Sequence, residues 1–401
     1  MTGAGSPSTS LGTGRERGTG RRSYDVIIVG AGGMGTAAAA HLAARGQRVL
    51  VLERYILAHD RGSSHGLTRI IRLAYFEHPS YVPLLRRAFE LWRALEARAG
   101  ERLLHVTGSL DVGTAGGQVF EGSRRSCLEH DLPHEVLGGR DLRARFPAWR
   151  IDDEAAAVFQ PDGGFLLPER CILAHARWAA EAGAVVRTGE PVIAWEAQGD
   201  GVQVRTSAGM YRAAQVVLAA GAWMGGLLPD LASLMKPERQ VLGWFAIADR
   251  DSFAPARFPV FVHETPAGIY YGFPEHGVPG FKIGKYHHRR QTVDPDALDR
   301  GCHAEDEAAL RDEISRHFPL ASGRLLQASA CMFTNSPDEH FIIDRHPRAP
   351  AVLIVSPCSG HGFKFCSVVG EIVADLVTRD TTTHDISAFR LARLRRHPSA
   401  G

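Results

Sequence analysis

The first residues in the chain that could do chemistry are glycines. Gly30-Ala31-Gly32-Gly33-Met34-Gly35 fits G-x-G-x-x-G, and Glu53 follows at the distance of a ribose-binding acid. In such a fingerprint Gly30 allows the tight turn, Gly32 lets backbone approach a pyrophosphate, and Gly35 lets a helix lie close on a strand. Glu53 can accept both ribose hydroxyls of an adenosine, which argues against a 2′-phosphate and so against NADP. Further on, Arg69 and Arg72 flank Ile70-Ile71. The apolar pair predicts partial burial, and a buried arginine needs an anion beside it: a ligand carboxylate, a flavin, or an internal Asp or Glu. Lys364 follows the Gly360-His361-Gly362 turn. A helix N-terminus there would aim amides at an anion such as a reduced flavin, and Lys364 could hold a substrate carboxylate. The competing reading of Lys364 is a solvated surface lysine. For Lys282, in Phe281-Lys282-Ile283, it is an edge-strand lysine facing water.

These groups need elements to hold them. Tyr24–Val29 reads as a buried strand, Ala37–Ala44 as an alanine-rich helix stopped by Gly46, and Arg48–Leu52 as the next strand. Short strands follow at Ala184–Arg187, Val192–Glu196 and Val202–Thr206, the last two joined by a Gly199-Asp200-Gly201 turn. Ala214–Ala219 runs into a Gly221-Ala222-Trp223 turn. A βαβ start, then a β-meander, then a strand into a small-residue turn is the order of glutathione-reductase-type FAD proteins. An NAD domain would continue β-α-β-α. Val352–Val355 predicts a strand and Val368–Leu376 a helix after the glycine turn.

Composition narrows the class. The chain has 401 residues, 44% hydrophobic and 22% charged, with net charge +2 from 46 basic and 44 acidic residues. This is an ordinary globular balance that points away from nucleic acid or an anionic membrane as partner. No apolar run approaches the ~18 residues of a membrane span. Residues 1–21 hold little to bury and are expected to be disordered. Arg21-Arg22 before an apolar run mimics a twin-arginine signal, but the run carries the nucleotide fingerprint instead. The six cysteines, Cys127, Cys171, Cys302, Cys331, Cys358 and Cys366, form no CxxC pair and no zinc module, and the 19 histidines are scattered. Reduced thiols in a cytoplasmic protein with no metal are expected.

Three segments then stand out: Ser64-His65-Gly66-Leu67-Thr68-Arg69-Ile70-Ile71-Arg72; Tyr270-Tyr271-Gly272-Phe273-Pro274 with Lys282-Ile283-Gly284; and Cys331 through Asp344 followed by Ser359-Gly360-His361-Gly362-Phe363-Lys364-Phe365. With the fingerprint they resemble the monomeric sarcosine oxidase and N-methyltryptophan oxidase family, from about Tyr24 to Phe389. The resemblance implies an α+β fold, with a Rossmann-like FAD domain plus an antiparallel-sheet substrate domain. The expected FAD domain is discontinuous (22–107, 161–230 and 325–390), the substrate domain takes 108–160 and 231–324, and 391–401 is a tail. It implies a monomeric oxidase acting on an N-methyl amino acid and O₂, with sarcosine as first expectation. N-methyl-L-tryptophan, a cyclic imino acid such as pipecolate, and a flavin dehydrogenase using a carrier are the alternatives.

The resemblance also implies roles. Arg72 and Lys364 clamp the substrate carboxylate, Arg69 lies over the flavin ring, and Lys282 sits against the flavin face and activates oxygen. Cys331 carries an 8α-thioether to FAD. Met34, Arg54, Ser64, Val192, Gly221, Gly360, His361 and Gly362 join Gly30, Gly32, Gly35 and Glu53 around the cofactor, and His65 and Tyr271 line the substrate side. There are two departures. Phe333 stands where sarcosine oxidases of the family have tyrosine. Lys285 interrupts a Lys-x-Gly-Tyr-His run, so His287 falls one residue late and is either an active-site histidine or an exposed strand-end residue.

Overall fold

The computed structural model describes residues 23–396. The expected disordered tail and the Arg21-Arg22 pair lie outside them. Strand Ser23–Val29 is central to the first sheet, parallel to Val49–Leu52 on one side and to Met210–Leu218 on the other. Val26, Ile27 and Ile28 have no exposed surface, as a strand covered on both faces requires. The helix Gly33–Ala44 starts directly after the fingerprint. Its alanines let two further helices, Pro168–Glu181 and Cys366–Arg379, pack on it closely. A Cβ on Gly370 would lie 2.7 Å from the Ala37 backbone, so that helix crossing depends on a glycine. Val185–Arg187, the Val192–Gln198 and Gly201–Thr206 hairpin, and Ala349–Ser356 with Ile342–His346 complete this sheet.

The second sheet has eight strands in the order Leu325–Asn335, Lys236–Phe245, Phe281–Lys285, Gly268–Phe273, Val260–Thr265, Ser109–Thr114, Ala155–Gln160 and Glu135–Gly138. It is antiparallel apart from the parallel pairing of Val260–Thr265 with Ser109–Thr114. Its core is aromatic: Phe253, Phe258, Phe261, Phe281 and Phe318 pack together. A three-stranded sheet places Arg69–Ile71 antiparallel to Gly164–Leu166.

Two expectations are corrected, and one competing reading is excluded. Leu325–Asn335, expected with the FAD domain, pairs along its length with Lys236–Phe245 in the second sheet. Its partly exposed start fits the edge of that sheet. Residues 391–396, expected as a tail, begin as a docked 3₁₀ turn: Leu391 is buried, its amide bonds Asp344, and Arg393 pairs with Asp338. Phe281–Lys285 is an interior strand, so Lys282 is not an edge lysine. Among the described residues no helix is long and apolar enough to cross a membrane.

Candidate active site

The fingerprint opens onto a cavity of about 470 Å³. Gly30, Gly32, Met34, Glu53, Arg54, Ser64, Val192, Gly221, Gly360 and Gly362 all line it. Gly30 has φ +99°, and a Cβ there would sit 2.6 Å from the Ala219 carbonyl oxygen. Gly35 does not reach the cavity; a Cβ on it would collide with the Gly30 carbonyl, so it serves the helix–strand contact. At Gly32 the nearest protein atom would be Ser64 Oγ at 3.8 Å, which leaves that space to a ligand. Ser63 Oγ and Thr334 Oγ1, both buried in this wall, have no hydrogen-bond partner. Open backbone at a helix N-terminus, an acid at the strand end and partnerless hydroxyls fit a dinucleotide. Glu53 is already engaged: its carboxylate accepts from the Ala31 amide at 2.7 Å and the Tyr55 amide at 2.9 Å. Burial opposes its charge, but His59 and these amides outweigh burial and hold its pKa low. Oε1 also faces His59 at 3.4 Å, and Oε2 keeps a further lone pair for a ribose hydroxyl.

A smaller cavity, about 80 Å³, shares Arg69, Phe333, Gly360 and Phe363 with the first. Arg72, Lys364, Tyr271, His361 and Cys331 line it. Arg72 is 2% exposed, and protein carboxylates already take part of its guanidinium. Its Nε donates to Asp111 at 3.1 Å and one Nη to Glu77 at 3.0 Å, with Tyr75 and Phe76 against its faces. The other nitrogen, Nη1, has no partner. Lys364 is 6% exposed, which excludes the solvated reading. Its Nζ donates one bond, to the His361 carbonyl at 3.0 Å. Burial, then the Arg72 charge, lowers its pKa to about 7. His361 is held neutral by burial, with a pKa of about 4; Nδ1 meets the Tyr75 hydroxyl at 2.5 Å and Nε2 faces the Glu339 carbonyl at 3.0 Å.

Arg69 belongs to both walls. Its two Nη groups donate to the Thr68 and Ser63 carbonyls at 2.9 and 2.8 Å. Lys282 and His65 line neither cavity. Lys282 Nζ lies 2.6 Å from the Gly66 carbonyl and 2.8 Å from the carbonyl and hydroxyl of Thr68, under Phe273. Burial, reinforced by Arg69, pushes its pKa well down. His65 is buried, its Nε2 is unsatisfied, and burial holds its pKa near 3.

His287 is not in the cavity wall. The additional residue is taken up in a turn with φ of +56° at His287, and Tyr286 faces the cavity in its place. Tyr286 donates to the Ser359 carbonyl. His287 instead meets Glu238 at 3.1 Å and Glu339 at 2.9 Å. Burial disfavours its charge, but the two carboxylates prevail and raise its pKa to about 9. A raised folded-state pKa adds stability that is complete below about 6.5 and lost as pH rises through 9. The melting temperature of the protein should therefore exceed that of His287→Gln by a few degrees at pH 6.5 and converge with it above pH 9.

Sequence reasoning missed Glu77, Asp111 and Tyr286. Asp111 had a signal, an acid between Leu110 and Val112 in an apolar strand, and Glu77 closes an apolar run five residues after Arg72. It also passed over Cys358 and Cys366, which line the large cavity.

Residues 25–376 match the family model of the DAO FAD dependent oxidoreductases. The chain belongs to this family. Monomeric sarcosine oxidase of Streptomyces avermitilis is 42% identical over 382 residues, covering 94% of this chain and 99% of the relative. N-methyl-L-tryptophan oxidase of Yersinia pestis is 39% identical over 375 residues, covering 93% and 100%. The open form of NikD, an amino acid oxidase essential for nikkomycin biosynthesis, superposes with a TM-score of 0.80 at 29% identity, covering 92% and 97%. L-proline dehydrogenase of P. horikoshii shares the fold, with a TM-score of 0.81 at 22% identity over 94% and 99%. The protein is thus an FAD-dependent oxidoreductase; its larger cavity fits a dinucleotide, and the smaller one opens beside it.

Proposed function

We propose that the enzyme oxidises an N-methyl amino acid, sarcosine first, converting sarcosine, O₂ and water to glycine, formaldehyde and hydrogen peroxide. The observation that carries this is the pairing of a partnerless Arg72 Nη1 with Lys364 in one small cavity that adjoins the FAD cavity. When bound, FAD accepts the electron pair of the C–H bond beside nitrogen and delivers it to oxygen. The protein's task is orientation. Arg72 and Lys364 hold the carboxylate, which leaves the N-methyl end toward the shared wall of Arg69 and Phe333. Positioning of this kind supplies several kcal/mol of a barrier. The cations also disfavour the protonated amine, and the neutral amine is the form that reacts. A water needs roughly 10–15 Å³ of such volume, so the cavity suits about half a dozen non-hydrogen atoms, the size of sarcosine, rather than an indole.

The names of the relatives support the same substrate class. Anaerobic bleaching of the flavin by sarcosine, N-methyl-L-tryptophan, pipecolate and proline tests the reading. Sarcosine should bleach fastest and yield peroxide in air; a substrate panel that leaves the colour unchanged would overturn it.

Oxygen reduction begins by making superoxide, which a fixed cation stabilises without reorganisation. Lys282 is our candidate, because it is anchored by the two residues, Gly66 and Thr68, that lead into Arg69. In Lys282→Met the anaerobic bleaching rate should stay within a few-fold, while recovery of colour in air slows roughly ten- to hundredfold. Lys282→Gln, still able to donate to the same carbonyls, should show the same split if charge is the cause.

A further inference from the structure

Away from both cavities, one cluster joins three ligand-type side chains from two elements. His263 lies in the Val260–Thr265 strand, and Glu313 and His317 lie in the Ala304–His317 helix. One donor atom from each comes within 4.8 Å of the others. Glu313 and His317 are four residues apart and therefore share a helix face. Val262 lines the small cavity, so strand alternation turns His263 to the opposite side of the sheet, toward that helix.

The hydrogen bonding leaves a gap. His263 Nδ1 meets Glu313 Oε1 at 2.7 Å. His317 Nδ1 faces the Arg150 carbonyl oxygen at 2.9 Å and must carry a proton to bond it. In neutral His317 this leaves Nε2 as a bare acceptor, 3.9 Å from Glu313 Oε2, another acceptor. Two acceptors facing each other across that distance, with His263 and Glu313 only 5% and 2% exposed, call for a cation between them. A histidine whose second nitrogen donates to a backbone carbonyl is also the usual arrangement of a metal ligand.

We propose that His263, Glu313 and His317 form a site for a divalent transition metal, Zn²⁺ being the best match. Two imidazoles and a carboxylate are a zinc donor set, and water through the partly exposed His317 side completes a tetrahedron. Zinc–ligand bonds of about 2.0–2.2 Å need donors roughly 3.3–3.6 Å apart, which side-chain shifts of an ångström or so supply. The metal would clamp the helix to the back of the sheet whose front lines the small cavity. The proposal does not depend on the substrate reading.

The metal-stripped holoenzyme, titrated calorimetrically with Zn²⁺ and separately with Mg²⁺, tests it. One equivalent of Zn²⁺ should bind that Mg²⁺ does not match, and at hundredfold excess over Kd the melting temperature should rise by roughly 3 °C or more. His317→Asn, at the margin of the cluster, should lose that equivalent and that rise with the flavin absorbance intact. Equal Zn²⁺ stoichiometry in wild type and His317→Asn would place the metal elsewhere and overturn the proposal. Absence of binding would overturn it too.

Discussion

Lys364→Met should lower kcat/KM for sarcosine by about two to three orders of magnitude. Removing one partner of a buried, hydrogen-bonded charge pair costs about 2–5 kcal/mol, and each 1.4 kcal/mol is a factor of ten. Lys364 is a cation in the small cavity with donors to spare, since only one of its N–H groups is used, by His361. Arg72 compensates poorly: its charge is already matched by Glu77 and Asp111, and one nitrogen alone is without a partner. Both kcat and KM should suffer, because the anchor that binds the carboxylate also sets the reach of the N-methyl group. The pH dependence gives a second readout. A pKa lowered to about 7 means Lys364 is charged below that pH and neutral above it in the free enzyme. A simple carboxylate inhibitor without an amine should then bind best below pH 7 and weaken by up to tenfold per pH unit above it. In Lys364→Met that slope should vanish. A slope that survives the substitution would assign the titration to another group.

What was legible in the chain follows from how local each device is. The fingerprint turn, the helix after it and the acid at the next strand end are contiguous, and their roles rest on backbone geometry that glycine reports directly. Gly30 and Gly35 show this: each would clash with backbone if it carried a Cβ. The substrate cavity is different. Its wall comes from Arg69–Glu77, Val262–Tyr286, Cys331 and Phe333, and Gly360–Lys364. The partners of Arg72 show the limit most clearly, since Asp111 reaches it from a strand 39 positions on, in another sheet. The sequence predicts that a buried arginine needs a partner, and cannot say whether protein or substrate provides it; here the protein takes two of its sides and leaves the third. The single-residue insertion at Lys285 has the same character. It displaces a histidine from the cavity and seats Tyr286 there, an outcome decided by a turn with positive φ rather than by composition.

We propose that Cys331 holds the flavin covalently, as the family resemblance implies: acid precipitation of Cys331→Ser should then give a yellow supernatant over a white pellet, where the parent should keep its colour in the pellet. Position alone does not single this cysteine out, because Cys358 and Cys366 line the larger cavity while Cys331 lies in the smaller one. The electrostatics do. A thiol that is to form a thioether must first lose its proton, and burial raises the pKa of all three thiols. Only at Cys331 do cations work against that burial: Arg69, Lys282, Arg300 and Arg239 all favour its thiolate. At Cys358 the opposing influence is a hydrogen bond with Ser356, and at Cys366 the other cysteines add to the rise. Cys358→Ser and Cys366→Ser should therefore leave the link intact. The same field accounts for a further expectation. Lys282→Met removes one of the four cations, so it should slow attachment of flavin to the apoprotein while leaving the final yield unchanged. If the pellet of Cys331→Ser stays yellow and that of Cys358→Ser turns white, the thiolate argument fails and proximity to the larger cavity decides instead.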